Sequence, residues 1–188
     1  MFLKKTDIFE YKENELANQQ LIEIITLINN EWPNPEKSIG VLVDEIREKI
    51  TLGQKSNDIR FVIWNEEKCI AHARIFPCKI FTPSNELIVI ALADVCVSKS
   101  RRKEGLGKAL VEKAFEEVKK HEGMVCLFQT DIPKFYEKLD SKIVMNKFHN
   151  SKNTKNPKAN PWWNDYVMIF PSYINFPPGN IDLNGYGY

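Results

Sequence analysis

Residues 91–118, ALADVCVSKSRRKEGLGKALVEKAFEEV, constrain the fold more than any other stretch. An apolar run ends in a short basic turn, and a helical pattern starts directly after it. Leu106, Ala109, Leu110, Ala114 and Val118 recur at helical spacing. The turn carries Arg102, Gly105 and Gly107. A strand, a glycine-bearing turn and a helix N-terminus make an anion cradle. First-turn N–H groups have no intrahelical acceptor, and the helix dipole adds partial positive charge there. Glycine lets an anion approach the backbone closely. Arg101, Arg102, Lys103 and Lys108 add full charge around the same point. Spacing excludes two better-known cradles. The Gly-x-x-x-x-Gly-Lys-Ser/Thr run of a P-loop is absent, and Leu110 stands where a dinucleotide fingerprint needs its third glycine.

Around this stretch the chain alternates strand and helix patterns. Residues 7–11 read as a first strand. Residues 14–32 read as a helix, with Leu21, Ile24, Ile25 and Ile28 on one face, Asn14 as cap, and Pro33 and Pro35 as breakers. Residues 38–52 read as a second helix, stopped by Gly53. Strands over 58–64 and 69–81 flank a polar turn as a hairpin, and 86–97 is a third, nearly all-apolar strand that should be central. The helix after the cradle runs to about His121, and 124–129 is a buried strand. Strand, helix, strand makes a βαβ unit, which should be parallel. A short helix over 132–139 with Pro133 in its first turn, a strand over 143–149, a polar loop over 150–160 and a strand over 166–170 follow. This order predicts an α+β (mixed α/β) fold: a mostly antiparallel sheet with helices on both faces. One domain over 1–188 is expected, with its core at 58–172. The tail, 173–188, belongs to an aromatic-rich C-terminus and should pack on that core, because disordered tails are poor in aromatics.

Composition narrows the function. Net charge is +1, which gives no global electrostatic case for nucleic acid. Four cysteines and three histidines show no zinc-ligand spacing, so no metal is expected. The cysteines read as reduced thiols, and no run approaches the ~20 apolar residues of a membrane span; a cytoplasmic protein with no membrane partner is expected.

The run from Arg102 to Gly107 resembles the Arg/Gln-x-x-Gly-x-Gly/Ala signature of the GNAT superfamily of acetyl-CoA-dependent N-acetyltransferases. Val95, Cys96 and Val97 stand where that family has the exposed edge of its fourth strand. Phe135-Tyr136-Glu137-Lys138-Leu139 looks like its Phe-Tyr-Glu-Lys-Leu-Gly segment. The resemblance implies a splayed fourth and fifth strand with acetyl-CoA in the cleft. Val95 and Val97, with Cys96 between them, would pair with the pantetheine arm. Arg102, Lys103, Glu104, Gly105, Leu106, Gly107 and Lys108 would hold the pyrophosphate, mainly through backbone N–H groups. The first two helices would lie on the acceptor side. Asp140 replaces the family's glycine, which puts the turn after Leu139 in question.

Direct acetyl transfer needs a base, an oxyanion donor and an acid for the thiolate. Tyr136 is the candidate acid, with a core aromatic as the alternative. Asp94 is the candidate base: a carboxylate inside an apolar strand must be paired or perturbed. Its alternative is an ion pair with Arg74. Asp131 is the second candidate base, with a helix N-cap as the preferred reading, and His72 reads as a structural histidine. The expected activity is acetylation of a primary amine of a small molecule in a ternary complex. Two other readings stay open. Short runs (Ile70 to Ala73, and Val95 to Val97 followed by Arg102, Gly105 and Leu106) look like those of aminoglycoside 2′-N-acetyltransferases; separately, Asp165 and Asp182 would meet a cationic amine if the tail lines the acceptor cleft. A non-catalytic acyl-CoA-binding module is the other. Members of the fold often pair, so a homodimer is an expected assembly.

Overall fold

The structure is a computed structural model that describes residues 7–54 and 57–188. In chain order the elements are β1 (Phe9–Lys12), α1 (Asn18–Glu31), α2 (Ile39–Thr51), β2 (Ile59–Asn65), β3 (Lys68–Phe81), β4 (Glu86–Val97), α3 (Leu106–Lys119), β5 (Cys126–Thr130), α4 (Pro133–Glu137), β6 (Lys142–Ile143), β7 (Lys147–His149), β8 (Tyr166–Phe170) and β9 (Asn180–Asp182). Among the described residues, four α-helices and a mixed, mostly antiparallel sheet, with β4–β5 and β7–β9 as parallel pairs, give the expected α+β class. By contact the chain divides into two compact units, Met1–Phe76 with Ala93–Ala114, and Pro77–Leu92 with Phe115–Tyr188.

In the first unit β1 pairs antiparallel with β2, and β2 with the first half of β3. The end of β4 closes on the start of β3 through Ser98 N–H donating to Ile70 O, 2.8 Å. Leu21, Ile24, Val43, Val62, Cys69 and Cys96 form the core of this unit. The α2 start follows the sequence: Ser38 Oγ accepts from Val41 N at 3.3 Å as the N-cap. The α1 start does not. The helix begins at Asn18, and Asn14 is not its cap. Residues 13–15 form a separate one-turn 3-10 helix, because the Glu13 carboxylate is drawn into the interior by Arg60.

In the second unit β4 meets β5 in a parallel ladder, Ile90↔Cys126 and Ala91↔Leu127. β5 pairs along its whole length with β8, and β6 with β8. Ile80, Val89, Leu127, Phe148, Trp162 and Ile169 lie in the core of this unit. The expected strand over 143–149 is divided, since β6 pairs with β8 and β7 with β9. Between them Asn146 Nδ2 donates to Pro177 O and Gly179 O, at 2.9 and 2.8 Å, and turns the chain. The tail contributes β9, which joins the end of β3 at Phe81↔Asp182. Tyr188 stands edge-on to Trp162 with ring centres 4.9 Å apart, and its carbonyl accepts from Gln129 Nε2 at 3.1 Å.

Candidate active site

The turn expected to act as a cradle lies between the end of β4 and the start of α3, both within the first unit. Ala109 N–H is bonded to Gly105 O at 3.0 Å, so the N–H groups of Leu106, Gly107 and Lys108 precede the intrahelical ladder. Two residues of the turn hold the left-handed conformation, Lys103 at φ 67° and Gly105 at φ 81°. A Cβ on Gly105 would meet nothing within 4 Å, so conformation, not crowding, requires glycine there. A Cβ on Gly107 would meet Val97 Cγ2 at 3.5 Å, an ordinary contact.

The basic residues divide into two kinds. Arg101 grips Glu104 with Nε and Nη2, at 2.9 and 2.8 Å. Arg102 pairs with Glu31 at the end of α1, and its Nε donates to Val97 O at 3.2 Å. These arginines hold the turn to itself and to its neighbours. Lys103 and Lys108 are exposed, with Lys108 3.6 Å from Glu112 one turn on. The Val97 carbonyl is therefore already engaged. Cys96 turns its side chain into the core, where burial pushes its thiol pKa well up.

Asp94 takes φ 55°, so β4 leaves regular strand geometry there. A chain of buried side chains reaches this point. Glu13 accepts from Arg60 Nε and Nη2, at 2.5 and 2.8 Å. Arg60 Nη1 lies 3.0 Å from His72 Nε2, and His72 Nδ1 lies 2.9 Å from Asp94 O. A guanidinium can only donate and a carbonyl can only accept, so His72 carries its proton on Nδ1. Burial, with the Arg60 charge beside it, lowers its pKa to about 3 and keeps it neutral. The Asp94 carboxylate lies 2.9 Å from Arg74 Nε, and Arg74 Nη1 donates to Asp58 at 3.0 Å. Sequence reasoning held this Asp94–Arg74 pair as the alternative to a base. It missed Glu13, Arg60 and Glu31, whose partners lie far away in the chain.

Asp94, Arg60 and Arg74 face a cavity of about 310 Å³ in the same unit. Ile25, Ile28 and Trp32 of the α1 side and Leu42 and Ile46 of α2 form its apolar wall.

Tyr136 belongs to the second unit and is 6% exposed. Its ring sits 4.7 Å from that of Phe128 and 4.9 Å from that of Phe135. Burial raises its pKa far above the ordinary phenol value. Asp131 is exposed and does not cap α4. The N-cap position is Ile132, whose N–H is taken by Thr130 Oγ1 at 3.1 Å. Asp140 adopts φ 62°, the conformation a glycine would take, and its carbonyl accepts from Ser172 N at 2.7 Å. Asp182 Oδ1 accepts from Ser151 N and Asn184 N at 3.0 and 2.8 Å, so it braces the tail. All four cysteines are free thiols. Among the described residues no cluster suits a metal ion, and no helix is long and apolar enough to cross a membrane.

A family model described as acetyltransferase (GNAT) domain matches residues 15–144. No curated protein matches. Solved structures are similar in fold. ElaA of Escherichia coli superposes with TM-score 0.57 at 16% identity, over 87% of this chain and 98% of that one. An acyl-CoA N-acyltransferase from Pseudomonas aeruginosa gives 0.57 at 14%, over 88% and 99%. A GCN5-related N-acetyltransferase from Kribbella flavida gives 0.55 at 16%, over 73% of this chain but only 33% of that longer one. At these identities the structures speak for the fold alone. The family model covers well over half of the residues, and on that ground the chain belongs to the GNAT acetyltransferase-domain family.

Proposed function

We propose that the chain is an N-acetyltransferase that moves the acetyl group of acetyl-CoA to a primary amine of a small molecule by direct attack. The observation that carries this reading is the cradle. Three N–H groups open at the start of α3, behind a turn held left-handed at Lys103 and Gly105, next to the end of β4. That donor set suits a pyrophosphate, and Lys103 and Lys108 add charge at its rim. The β4 backbone around Val95 and Cys96 suits the pantetheine arm.

Acetyl-CoA, when bound, supplies the thioester and a thiolate leaving group. The remaining work falls to the chain. A β4 N–H stabilises the oxyanion. Asp94 takes a proton from the amine, directly or through water. Tyr136 gives its phenolic proton to the departing sulfur as the C–S bond breaks and the C–N bond forms. An ordinary phenol already keeps that proton at neutral pH, and the burial of Tyr136 makes it a weaker acid than a free phenol. The high thiol pKa values of Cys69, Cys96 and Cys126 argue against a cysteine acyl-enzyme.

The first test is thermal stability with acetyl-CoA and with CoA, on the native chain and on Gly105→Val. Binding raises the melting temperature by mass action. A shift that Gly105→Val loses supports the reading, and no shift at millimolar cofactor sinks it. The packing of Tyr136 between two aromatic rings favours one rival, a non-catalytic acyl-CoA-binding module. Tyr136→Phe separates the two. The enzyme loses about 10²- to 10⁴-fold in kcat, whereas the binding module keeps its cofactor affinity and shows no turnover to lose.

A further inference from the structure

Two hydrogen bonds fix which way the backbone of β4 faces. Along a strand the N–H groups point to alternate sides, so residues an even number apart face the same neighbour. Ile90 N–H donates to Val125 O at 2.8 Å, on the β5 side of β4. Ser98 N–H, an even number of residues later, donates to Ile70 O of β3 at 2.8 Å. The alternation is therefore reversed between them, as one extra residue in a strand reverses it. Asp94, at φ 55°, is the residue that leaves strand geometry. Back from Ser98, the N–H groups of Val97 and Val95 turn away from β3.

His72 holds this point from the interior. Its Nδ1–H donates to Asp94 O at 2.9 Å. The peptide after Asp94 is trans, so the Val95 N–H points opposite to that carbonyl and away from the imidazole. Strand alternation and the peptide plane thus turn Val95 N–H the same way. A left-handed φ persists in a non-glycine residue only where its surroundings over-determine it. Here His72 holds the Asp94 carbonyl and Arg74 its carboxylate. His72 is held in turn. Arg60 Nη1 lies 3.0 Å from its Nε2 and so fixes the proton on Nδ1, and Glu13 grips Arg60 at two points. Glu13, Arg60 and His72 are all buried.

We infer, resting on the acetyltransferase reading above, that His72 is a positioning residue. Backed by Arg60 and Glu13, it locks the Asp94–Val95 peptide so that Val95 N–H is the β4 donor that meets the thioester carbonyl oxygen of acetyl-CoA. Val97 N–H, which faces the same way, is left to the pantetheine arm. No proton leaves His72, which acts on the cosubstrate only through the peptide it holds.

Calorimetric titration of the full chain with acetyl-CoA and with CoA tests this. CoA lacks the carbonyl, so the ratio of the two affinities reports the Val95 donor, and CoA affinity alone reports the cradle. His72→Phe should lower the preference for acetyl-CoA over CoA by roughly 2- to 10-fold, the worth of one hydrogen bond, and leave CoA affinity in place. His72→Asn, whose side-chain amide can donate where Nδ1–H does, should keep the native ratio. Both variants remove the Nε2 acceptor of Arg60, so a difference between them isolates the bond to Asp94 O. Hydrogen exchange on the native chain needs no variant to fold: Val95 N–H should exchange more slowly with acetyl-CoA bound than with CoA bound. A native ratio in His72→Phe overturns the inference, as does its equal loss in His72→Asn, or a Val95 exchange rate that is the same with both ligands. Each of these leaves the acetyltransferase reading standing as long as the native chain binds the ligands. Binding of neither ligand to the native chain overturns that reading and the inference with it.

Discussion

His72 shows how a single residue can tie the interior of a sheet to its edge. It lies fully buried and neutral between Arg60 and the Asp94 carbonyl. Its pKa falls from 6.5 to about 3 on folding. The unfolded chain therefore binds the proton more readily. The stability it contributes is whole above about pH 6.5 and is lost as pH falls toward 3, at up to ~1.4 kcal/mol per pH unit. Urea midpoints measured between about pH 7 and pH 5 should fall, and should fall less steeply in His72→Phe. An equal slope in both would show that His72 does not titrate this way. The Glu13–Arg60 pair is a second residue-scale case. Removing one partner, as in Glu13→Gln, leaves a buried guanidinium short of its counter-ion and should cost roughly 3–5 kcal/mol in a denaturant melt. A histidine inside an apolar strand is legible in a sequence as structural. That its partner is an arginine held by Glu13, 47 residues before Arg60, is not.

At the scale of an element, the turn before α3 was the most legible part of the molecule. Glycines, basic residues and a helical apolar pattern sit together in one short stretch, and local chemistry decides such turns. Position matters within it. Gly105→Ala puts a Cβ at φ 81° and should cost ~1–2 kcal/mol. Gly107→Ala makes only an ordinary contact with Val97 and should be tolerated. Parallel thermal melts of the two variants check this order. The turn after Leu139 teaches the converse. Asp140 occupies the left-handed conformation without being glycine, which aspartate tolerates better than most residues, and Ser172 anchors it. A substitution in a motif thus left the backbone conformation in place. The α1 start failed as a sequence reading because capping residues compete. Asn14 has the right chemistry, but Glu13 beside it is claimed by a distant arginine.

At the scale of the whole molecule, the aromatic tail is part of the second unit's core. Ile181 and Leu183 are buried, and Tyr188 covers Trp162. Truncation before Asn180 removes β9 and uncovers this apolar surface. At about 1.5–3 kcal/mol for each large apolar side chain, the loss should reach several kcal/mol. A cooperative melt of the truncated chain at the native temperature would contradict it. Density of aromatics led to the expectation that the tail packs, yet the tail is buried chiefly through the aliphatic Ile181 and Leu183, while Tyr173 and Tyr186 stay exposed. That density did not predict the three-residue strand, since β9 is defined by its partners β3 and β7 rather than by its own pattern.

The α+β class, the β4–turn–α3 unit and the family resemblance were legible in the chain's linear pattern, because each rests on local periodicity, turn chemistry or a short contiguous motif. The rest came from long-range packing. It paired Arg102 with Glu31 and Asp94 with Arg74, ran a buried hydrogen-bond chain from Glu13 to β4, and opened an apolar cavity with Asp94 at its floor. These features join residues far apart in the chain. Burial and charge pairing depend on which side chains the folded backbone brings together, and a linear pattern carries no record of that.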